Sequence, residues 1–197
     1  MREFWDERFL EETYAYGEEP NRFFREQLDT LTPGMLLLPG EGEGRNAVYA
    51  ARNGWQVDAV DWSRSGKEKA DRLAAKHGVD IRYHVTPFEG WDTRNDRFDV
   101  CGVIFFHQQP EDQARSVWKM INSLKPGGLL LMELYEKDQL GRSSGGPQND
   151  ELLYTKDQVA AWLDGMDVRL LEKREVTLNE GRYHNGPASV IRVIARK

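Results

Sequence analysis

MLLLPGEGEGRN, residues 35–46, places an apolar strand directly before a turn with glycine at every second position and the start of a helix. Gly40, Gly42 and Gly44 allow backbone angles that other residues rarely adopt. The main chain can therefore turn sharply and approach a ligand without an intervening Cβ atom. The helix that follows directs its free N–H groups toward the same place. The pattern predicts a ligand site at the carboxyl end of this strand.

A carboxylate at the end of the next strand indicates that the ligand carries ribose hydroxyls. Asp61 closes the apolar strand 57–61 and lies 21 positions after Gly40. That is close to the roughly 20-residue interval at which a carboxylate reaches a bound ribose. The dinucleotide fingerprint needs a small residue where Arg45 stands, and no G-x-x-x-x-G-K-[ST] run supports an ATP-binding loop. The pattern favours S-adenosylmethionine (SAM) over NAD.

Composition and charge limit the class of protein. The chain of 197 residues, 39% of them hydrophobic, can bury one core, so we expect a single domain over residues 1–197. The net charge of −6, without a basic block, argues against a nucleic-acid partner. We expect no metal site, membrane span or signal peptide, and hence a cytoplasmic monomer or homodimer. The single cysteine, Cys101, is interpreted as a buried structural thiol.

Strand and helix signals alternate along the chain, which predicts an α/β fold with a doubly wound, mostly parallel sheet and right-handed crossovers. The last two strands, joined by a loop at 178–188, are expected to form an antiparallel hairpin at one edge. The expected helices cover residues 21–31, 44–53, 64–77, 110–124 and 155–163, and the expected strands cover residues 35–39, 56–61, 80–85, 98–106, 129–134, 167–177 and 189–196.

Segments spread over nearly the whole chain share the pattern of one known family. They are WDERF (5–9), YGEEPN (16–21), GEGEGRNAVYAA (40–51), VDAVDWS (57–63), FDVCGVIFFHQ (98–108), LKPGG (124–128) and EGRYHNGPASVIRVIARK (180–197). With them the chain resembles the class I SAM-dependent methyltransferases, and among these the small bacterial tellurite-resistance and thiopurine-methyltransferase types. The resemblance implies a Rossmann-like, seven-stranded sheet, SAM as the cofactor and S-adenosylhomocysteine as its product.

Pattern and resemblance together indicate which residues contact the cofactor. Leu38 and Pro87 stand where family members carry acidic residues, and Glu89 is expected to replace the second of these at the adenine amino group. The expected cofactor-binding residues are Arg8, whose planar fork suits a carboxylate; Gly40, Glu41 and Gly42 along the methionine part; Asp61 at the ribose; Trp62 and Phe88 against the adenine; Phe106 near the sulfonium; and Arg45, Asn46, Ser63 and Glu89.

Two histidines are candidates on the acceptor side. His107 follows the fourth strand, where ligands of open α/β sheets bind, and acts either as a positioning group or as a general base. The alternative is that it packs against a loop or hydrogen-bonds to it. His184 lies in the hairpin loop that faces the substrate pocket in the family, and a solvent-exposed loop histidine is the alternative. Tyr16 and Tyr135 are expected to line the same pocket.

The N-terminal segment, residues 1–31, concentrates aromatic side chains and is by resemblance a helical lid over the cofactor. The sequence as a whole therefore predicts a SAM-dependent methyltransferase with a small-molecule acceptor: a thiol, a heterocycle or an oxyanion. Two alternatives stay open. One is a SAM- or adenosine-binding module without turnover, and the other, less favoured, is an NAD-dependent oxidoreductase.

Overall fold

The computed structural model describes residues 2–197, so Met1 of the expected lid segment lies outside the described residues. Its strands are β1 (Met35–Pro39), β2 (Gln56–Asp61), β3 (Arg82–Val85), β4 (Phe98–Ile104), β5 (Leu124–Tyr135), β6 (Asp167–Asn179) and β7 (Asn185–Arg196). They form one sheet in the order β3-β2-β1-β4-β5-β7-β6. β7 runs antiparallel to both β5 and β6, and the other neighbouring pairs are parallel. The predicted sheet with its antiparallel edge hairpin is confirmed.

The helices cover both faces of this sheet. They are α1 (Arg2–Phe9), α2 (Arg22–Leu28), α3 (Arg45–Arg52), α4 (Arg64–His77), α5 (Pro110–Ser123) and α6 (Lys156–Trp162). Successive residues of β1 show why two layers are needed, because Leu36 and Leu38 enter one hydrophobic cluster and Leu37 enters the other. This alternation is the two-residue period of a strand buried on both faces.

Capping residues explain why several helix boundaries agree with those predicted from the sequence. α4 begins after Ser63, whose side chain accepts a hydrogen bond from the Gly66 N–H, and ends at Gly78 in the left-handed conformation. α6 begins with a capping box between Thr155 and Gln158.

Four predicted strand boundaries are wrong for local reasons. β4 ends at Ile104 instead of residue 106, because Phe105 takes a φ of 51°. The hairpin strands are longer than expected, which leaves a turn of residues 180–184 in place of a loop at 178–188. β5 already begins at Leu124, since the Lys-Pro-Gly-Gly segment is absorbed as an irregularity in its pairing with β4.

The N-terminal segment is fastened to the sheet by a buried ion pair. The Glu43 carboxylate accepts hydrogen bonds from the Ala15 N–H at 2.8 Å and from the Lys69 ammonium at 2.7 Å. Lys69 also donates to the Thr13 carbonyl at 2.7 Å. Asp6 of α1 accepts from the Ser63 hydroxyl at 2.6 Å, at the amino end of α4. α1 is thereby held above the glycine turn. No helix within residues 2–197 is long and apolar enough to cross a bilayer.

Candidate functional site

A cavity of about 680 Å³ lies beyond the carboxyl ends of the central strands. A smaller one of about 120 Å³ adjoins it, and Asp61, Trp62, Phe106 and His107 line both. The large cavity also brings together the predicted residues Arg8, Tyr16, Gly40, Glu41, Gly42, Arg45, Asn46, Tyr135 and His184. Its volume lies within the range usual for sites that enclose small ligands.

The glycine turn is joined to the end of β2 by one carboxylate. Gly40 and Gly42 have φ values of 66° and 61°, which L side chains rarely adopt. The Gly42 N–H donates to Asp61 Oδ2 at 3.1 Å, and the Ser63 N–H donates to Asp61 Oδ1 at 2.8 Å. Burial raises the pKa of Asp61 to about 6. The carboxylate therefore faces the cavity from a fixed position.

Glu41 is a second carboxylate at the same end of the cavity. Its Oε1 accepts from the Ala47 N–H at 2.7 Å, and its Oε2 accepts from the Asn46 amide at 3.5 Å. Burial raises the pKa of Glu41 to about 7. A cationic ligand in the cavity would favour the ionised form of both carboxylates.

Arg45 and Asn46 line the cavity with side chains that are already bound within the protein. The Arg45 guanidinium lies 2.7 Å from the Glu180 carboxylate and donates to the Tyr16 carbonyl at 3.1 Å. Asn46 Oδ1 accepts from the Asn21 N–H at 2.9 Å. These two residues thus tie the N-terminal segment and the hairpin turn to α3.

This tie continues into a buried polar network that the sequence reading missed. Asn21 donates to Glu133 at 2.5 Å and to Glu180 at 3.0 Å, and Arg192 donates to Glu133 at 2.8 Å. Glu133 is fully buried near the carboxyl end of β5. The signal that could have revealed it is a lone carboxylate within the apolar run LLLMELY, residues 129–135.

Ser63 was predicted to contact the cofactor, but its side chain points elsewhere. It is fully buried, caps α4 through Gly66 and donates to Asp6. Within residues 2–197, Ser63 lines neither of the two cavities, because its hydroxyl is used for the contact between α1 and α4.

The smaller cavity lies between the segments that follow β3 and β4. Phe88 and Phe106 line it with their rings perpendicular and their centroids 6.0 Å apart. Glu89 also lines it and accepts a hydrogen bond from the Gln108 amide. Pro87 is present where the family carries an acid, while Leu38 is buried in the core.

His107 stands where the two cavities meet. Its Nδ1 lies 3.1 Å from the Leu152 carbonyl, so the N–H on this nitrogen donates and Nε2 keeps a lone pair. Burial lowers the pKa of His107 to about 4. The ring is therefore a neutral hydrogen-bond acceptor at physiological pH.

The far end of the large cavity is walled by aromatic rings. The Phe105 and Tyr135 rings stack with centroids 4.4 Å apart, and the His184 ring lies 4.3 Å from Tyr16 and 4.7 Å from Phe105. His184 is 6% exposed, so the interpretation as a solvent-exposed loop histidine is wrong. Burial lowers its pKa. The left-handed backbone of Phe105, which the sequence reading did not foresee, turns this wall into place.

Arg8 closes the cavity from above. Its guanidinium lies 3.7 Å from the centroid of the Tyr183 ring and 3.5 Å from the Tyr16 hydroxyl. Trp5 and Phe9 of the same helix also line the cavity. Within residues 2–197, no group of His, Cys, Asp and Glu side chains is arranged to hold a metal ion.

Part of the chain is similar in sequence to a known protein family. Residues 37–128 match the family model described as a methyltransferase domain. This match spans just under half of the chain, and over residues 37–128 it confirms the methyltransferase resemblance stated from the sequence, with SAM as the cofactor which that resemblance implies. No curated protein matches the sequence of the chain significantly.

Solved structures of low sequence identity share the fold. TehB from Haemophilus influenzae has 13% identity and a TM-score of 0.74, with 100% of this chain and 66% of TehB covered. The Burkholderia thailandensis 1,6-didemethyltoxoflavin N1-methyltransferase, bound to its substrate and S-adenosylhomocysteine, has 22% identity and a TM-score of 0.65, with 89% and 78% covered. The [4+2]-cyclase SpnF has 17% identity and a TM-score of 0.71, with 100% and 94% covered. At these identities the likeness establishes the fold and leaves the acceptor open.

The residues present fit SAM by their chemistry. SAM carries a sulfonium and an ammonium, and Glu41 and Asp61 supply two buried carboxylates at the glycine turn. The smaller cavity, lined by Phe88 and Phe106, adjoins them and offers aromatic faces to an adenine. At Gly42 an added Cβ atom would lie 3.0 Å from the Phe9 ring, so any side chain here would press against α1.

Proposed function

We propose that the methyltransferase acts on a small-molecule acceptor that binds in the aromatic end of the large cavity. The observation that supports this most directly is the position of Phe106 and His107, which line both cavities. A cofactor along the glycine turn and the smaller cavity would then meet an acceptor from the aromatic end at these two residues. Among the SAM-dependent methyltransferases, we propose the small bacterial tellurite-resistance and thiopurine-methyltransferase types as the subgroup most similar to this chain.

In this proposal each part of SAM has a partner. Asp61 accepts hydrogen bonds from the ribose hydroxyls, and the smaller cavity with Trp62 and Phe88 takes the adenine. Glu41 at the glycine turn faces the cationic methionine part. Arg8 reaches the carboxylate from the lid side.

Methyl transfer from SAM depends more on the position of the acceptor than on proton transfer. When bound, SAM supplies a methyl group on a positively charged sulfur, which keeps the carbon–sulfur electron pair as the acceptor takes the methyl. Correct positioning of two reactants contributes up to roughly 7–11 kcal/mol. His107 accepts a hydrogen bond at Nε2 and so orients the acceptor, while its lowered pKa makes it a poor base. A proton carried by the acceptor passes to water.

The described part of residues 1–31 serves as the lid in this proposal. α1 covers the glycine turn through Phe9, and Asp6 fixes it to the start of α4. The ion pair of Glu43 and Lys69 anchors the segment that follows, at residues 13–16. A closed lid excludes water from the sulfonium.

The proposal is tested by measuring S-adenosylhomocysteine formation with a panel of thiols, purines and oxyanions. Calorimetric binding of SAM is measured in parallel, and mass spectrometry identifies any small molecule that copurifies. We expect SAM binding and turnover of at least one small acceptor. Binding of SAM with no product from any acceptor would instead support a binding module without turnover. Binding of NAD in place of SAM would overturn the assignment.

A further inference from the structure

Two buried polar atoms at the aromatic end of the cavity have no hydrogen-bond partner among residues 2–197. They are the Tyr135 hydroxyl, at the end of β5, and Nδ1 of His184, in the hairpin turn. Tyr135 is fully buried, and His184 is nine-tenths buried. An unpaired buried polar group costs about 1–3 kcal/mol, so buried polar groups are nearly always paired. Two such groups on one wall of a cavity indicate a ligand that pairs with them.

The two residues lie side by side on the same wall of the cavity. The Tyr135 and His184 rings are perpendicular, with centroids 5.5 Å apart. A Cβ atom added to Gly145 would lie 2.6 Å from the Tyr135 hydroxyl and 2.7 Å from Cδ2 of His184. The Gly145 backbone, with a φ of 123°, therefore packs against the Tyr135 hydroxyl and the Cδ2 edge of the His184 ring. An entering acceptor has to displace this segment, and the hydrogen bonds it then gains offset the displacement.

The electrostatics of this end do not suit an oxyanion. The lowered pKa of His107 and of His184 leaves both rings neutral. Three of the arginines that line the cavity lie beside carboxylates, since Arg45 pairs with Glu180, Arg142 forms a two-pronged pair with Glu175 at 2.6 and 2.7 Å, and Arg182 lies 3.6 Å from Glu11. The fourth, Arg8, is the one assigned above to the SAM carboxylate. The walls are aromatic faces, which stack on planar rings.

We propose that the Tyr135 hydroxyl and His184 Nδ1 bind the polar edge of an uncharged, planar heteroaromatic acceptor stacked among the rings of Tyr16, Phe105 and His107. This inference rests on the proposed methyl transfer and selects the heterocycle from the acceptor classes left open. The two residues determine acceptor specificity and take no part in binding the cofactor.

A matched pair of thiols tests the proposal. 2-Mercaptopyridine is a neutral thione with a ring N–H beside its sulfur, and thiophenol has the same ring size without that nitrogen. We expect Tyr135→Phe and His184→Phe, which keep a planar ring, each to raise the KM for 2-mercaptopyridine at least tenfold. The KM for thiophenol should change less than twofold, and the Kd of SAM should be unchanged.

Three kinetic outcomes overturn the assignment: equal losses for both thiols, methylation of tellurite but of neither thiol, or no binding and no methylation of either ring compound by a chain that binds SAM. A chain that binds no SAM at all would instead contradict the proposed function. The two failures are therefore distinguishable by the SAM titration alone.

Thermal unfolding gives a test that needs no acceptor. The Tyr135 hydroxyl has no partner, so we expect Tyr135→Phe to leave the Tm unchanged or to raise it. Tyr154→Phe is the matched control, because the buried Tyr154 hydroxyl donates to the Phe106 carbonyl at 3.2 Å and its removal should lower the Tm. A fall in Tm for Tyr135→Phe as large as in the control would show a structural role and overturn the proposal.

Discussion

The cofactor end and the acceptor end of the large cavity are built in opposite ways. At the cofactor end the polar groups are already paired within the protein: Asp61 accepts from Gly42 and Ser63, and Glu41 accepts from Ala47. At the acceptor end Tyr135 and His184 keep polar atoms without a partner. The first end is therefore preformed and rigid, while the second is completed only by what binds there.

The two ends of the cavity also differ in where their residues lie along the chain. The carboxylates and glycines of the cofactor end come from one continuous stretch, residues 40–61. The acceptor wall is assembled from residues far apart in the chain, at 16, 105–107, 135 and 184. A cofactor common to many enzymes can be bound by one inherited motif, whereas the acceptor pocket is free to vary around it.

The largest effect should come from filling the glycine turn. Gly42→Val places a side chain at a φ of 61° against Phe9, and we expect SAM affinity to fall more than 100-fold, which is about 2.7 kcal/mol or more. Gly78→Val is the matched control, because Gly78 has a φ of 64° but nothing lies within 4 Å of an added Cβ atom.

Both glycine variants carry the same backbone strain, of roughly 1–2 kcal/mol, so their circular dichroism should be similar, and a further loss of Tm in Gly42→Val would come from its contact with Phe9. Calorimetric titration with SAM then distinguishes an effect on the cofactor site from an effect of backbone strain. If Gly42→Val binds SAM as tightly as Gly78→Val does, the glycine turn is only a structural bend and the cofactor end has been wrongly placed.

The next largest effect should come from Asp61→Ala. Charge-assisted hydrogen bonds contribute roughly 1.5–3 kcal/mol, so the Kd of SAM should rise about 10-fold to 100-fold. Asp99→Ala is the control, because Asp99 binds Lys125 and the Met35 N–H at the opposite end of the sheet. The control should lose stability and keep its affinity for SAM. Unchanged affinity in Asp61→Ala would remove the ribose contact from the proposal.

The cofactor end could be predicted from sequence because its signals are local. Strand, glycine spacing and carboxylate follow one another between residues 35 and 61, and the helix boundaries around them are set by caps such as Ser63 and Gly78. Even here the side-chain contact of one predicted residue is not local. The Ser63 hydroxyl turns to Asp6, a contact across 57 positions that no local pattern contains.

The acceptor end could not be predicted in the same way, because its determinants are tertiary. The left-handed backbone of Phe105 depends on its neighbours, and phenylalanine itself does not favour it. The role of Glu133 follows from Asn21 and Arg192, which are distant in the chain. The lowered pKa of His107 follows from burial, which the sequence of a strand end does not specify.

A smaller, pH-dependent effect should come from Glu41→Gln. Burial raises the pKa of Glu41 from 4.5 to about 7. As the pH rises from 4.5 to 7, the unfolded chain ionises first, so wild type loses stability over this window. The variant should match wild type at pH 4 and exceed its free energy of unfolding by about 1–3 kcal/mol at pH 8.

The contrast with Glu43→Gln sharpens this prediction. Glu43 is also buried, but it is paired with Lys69, so its loss leaves a buried cation and should destabilise the fold by about 3–5 kcal/mol. Denaturant titrations of both variants at pH 4 and pH 8 provide the measurement. A Glu41→Gln variant that is less stable than wild type at pH 8 would mean that the Glu41 carboxylate is ionised and needed for the fold.

The smallest effect should come from His107→Ala, at the point where the two ends meet. We expect the KM of the acceptor to rise by about twofold to tenfold, the value of one hydrogen bond, with kcat and SAM affinity nearly unchanged. The reason is the lowered pKa of His107, about 4, which leaves the imidazole neutral and weakly basic between pH 5 and 8. Wild type should therefore show no limb in its pH–rate profile near pH 6–7 that the variant lacks.

A general base at His107 would behave differently: kcat would fall by roughly 10²–10⁴, and the loss would vanish with an acceptor that is already deprotonated. Such a result would make His107 part of the chemistry and not only of the acceptor wall.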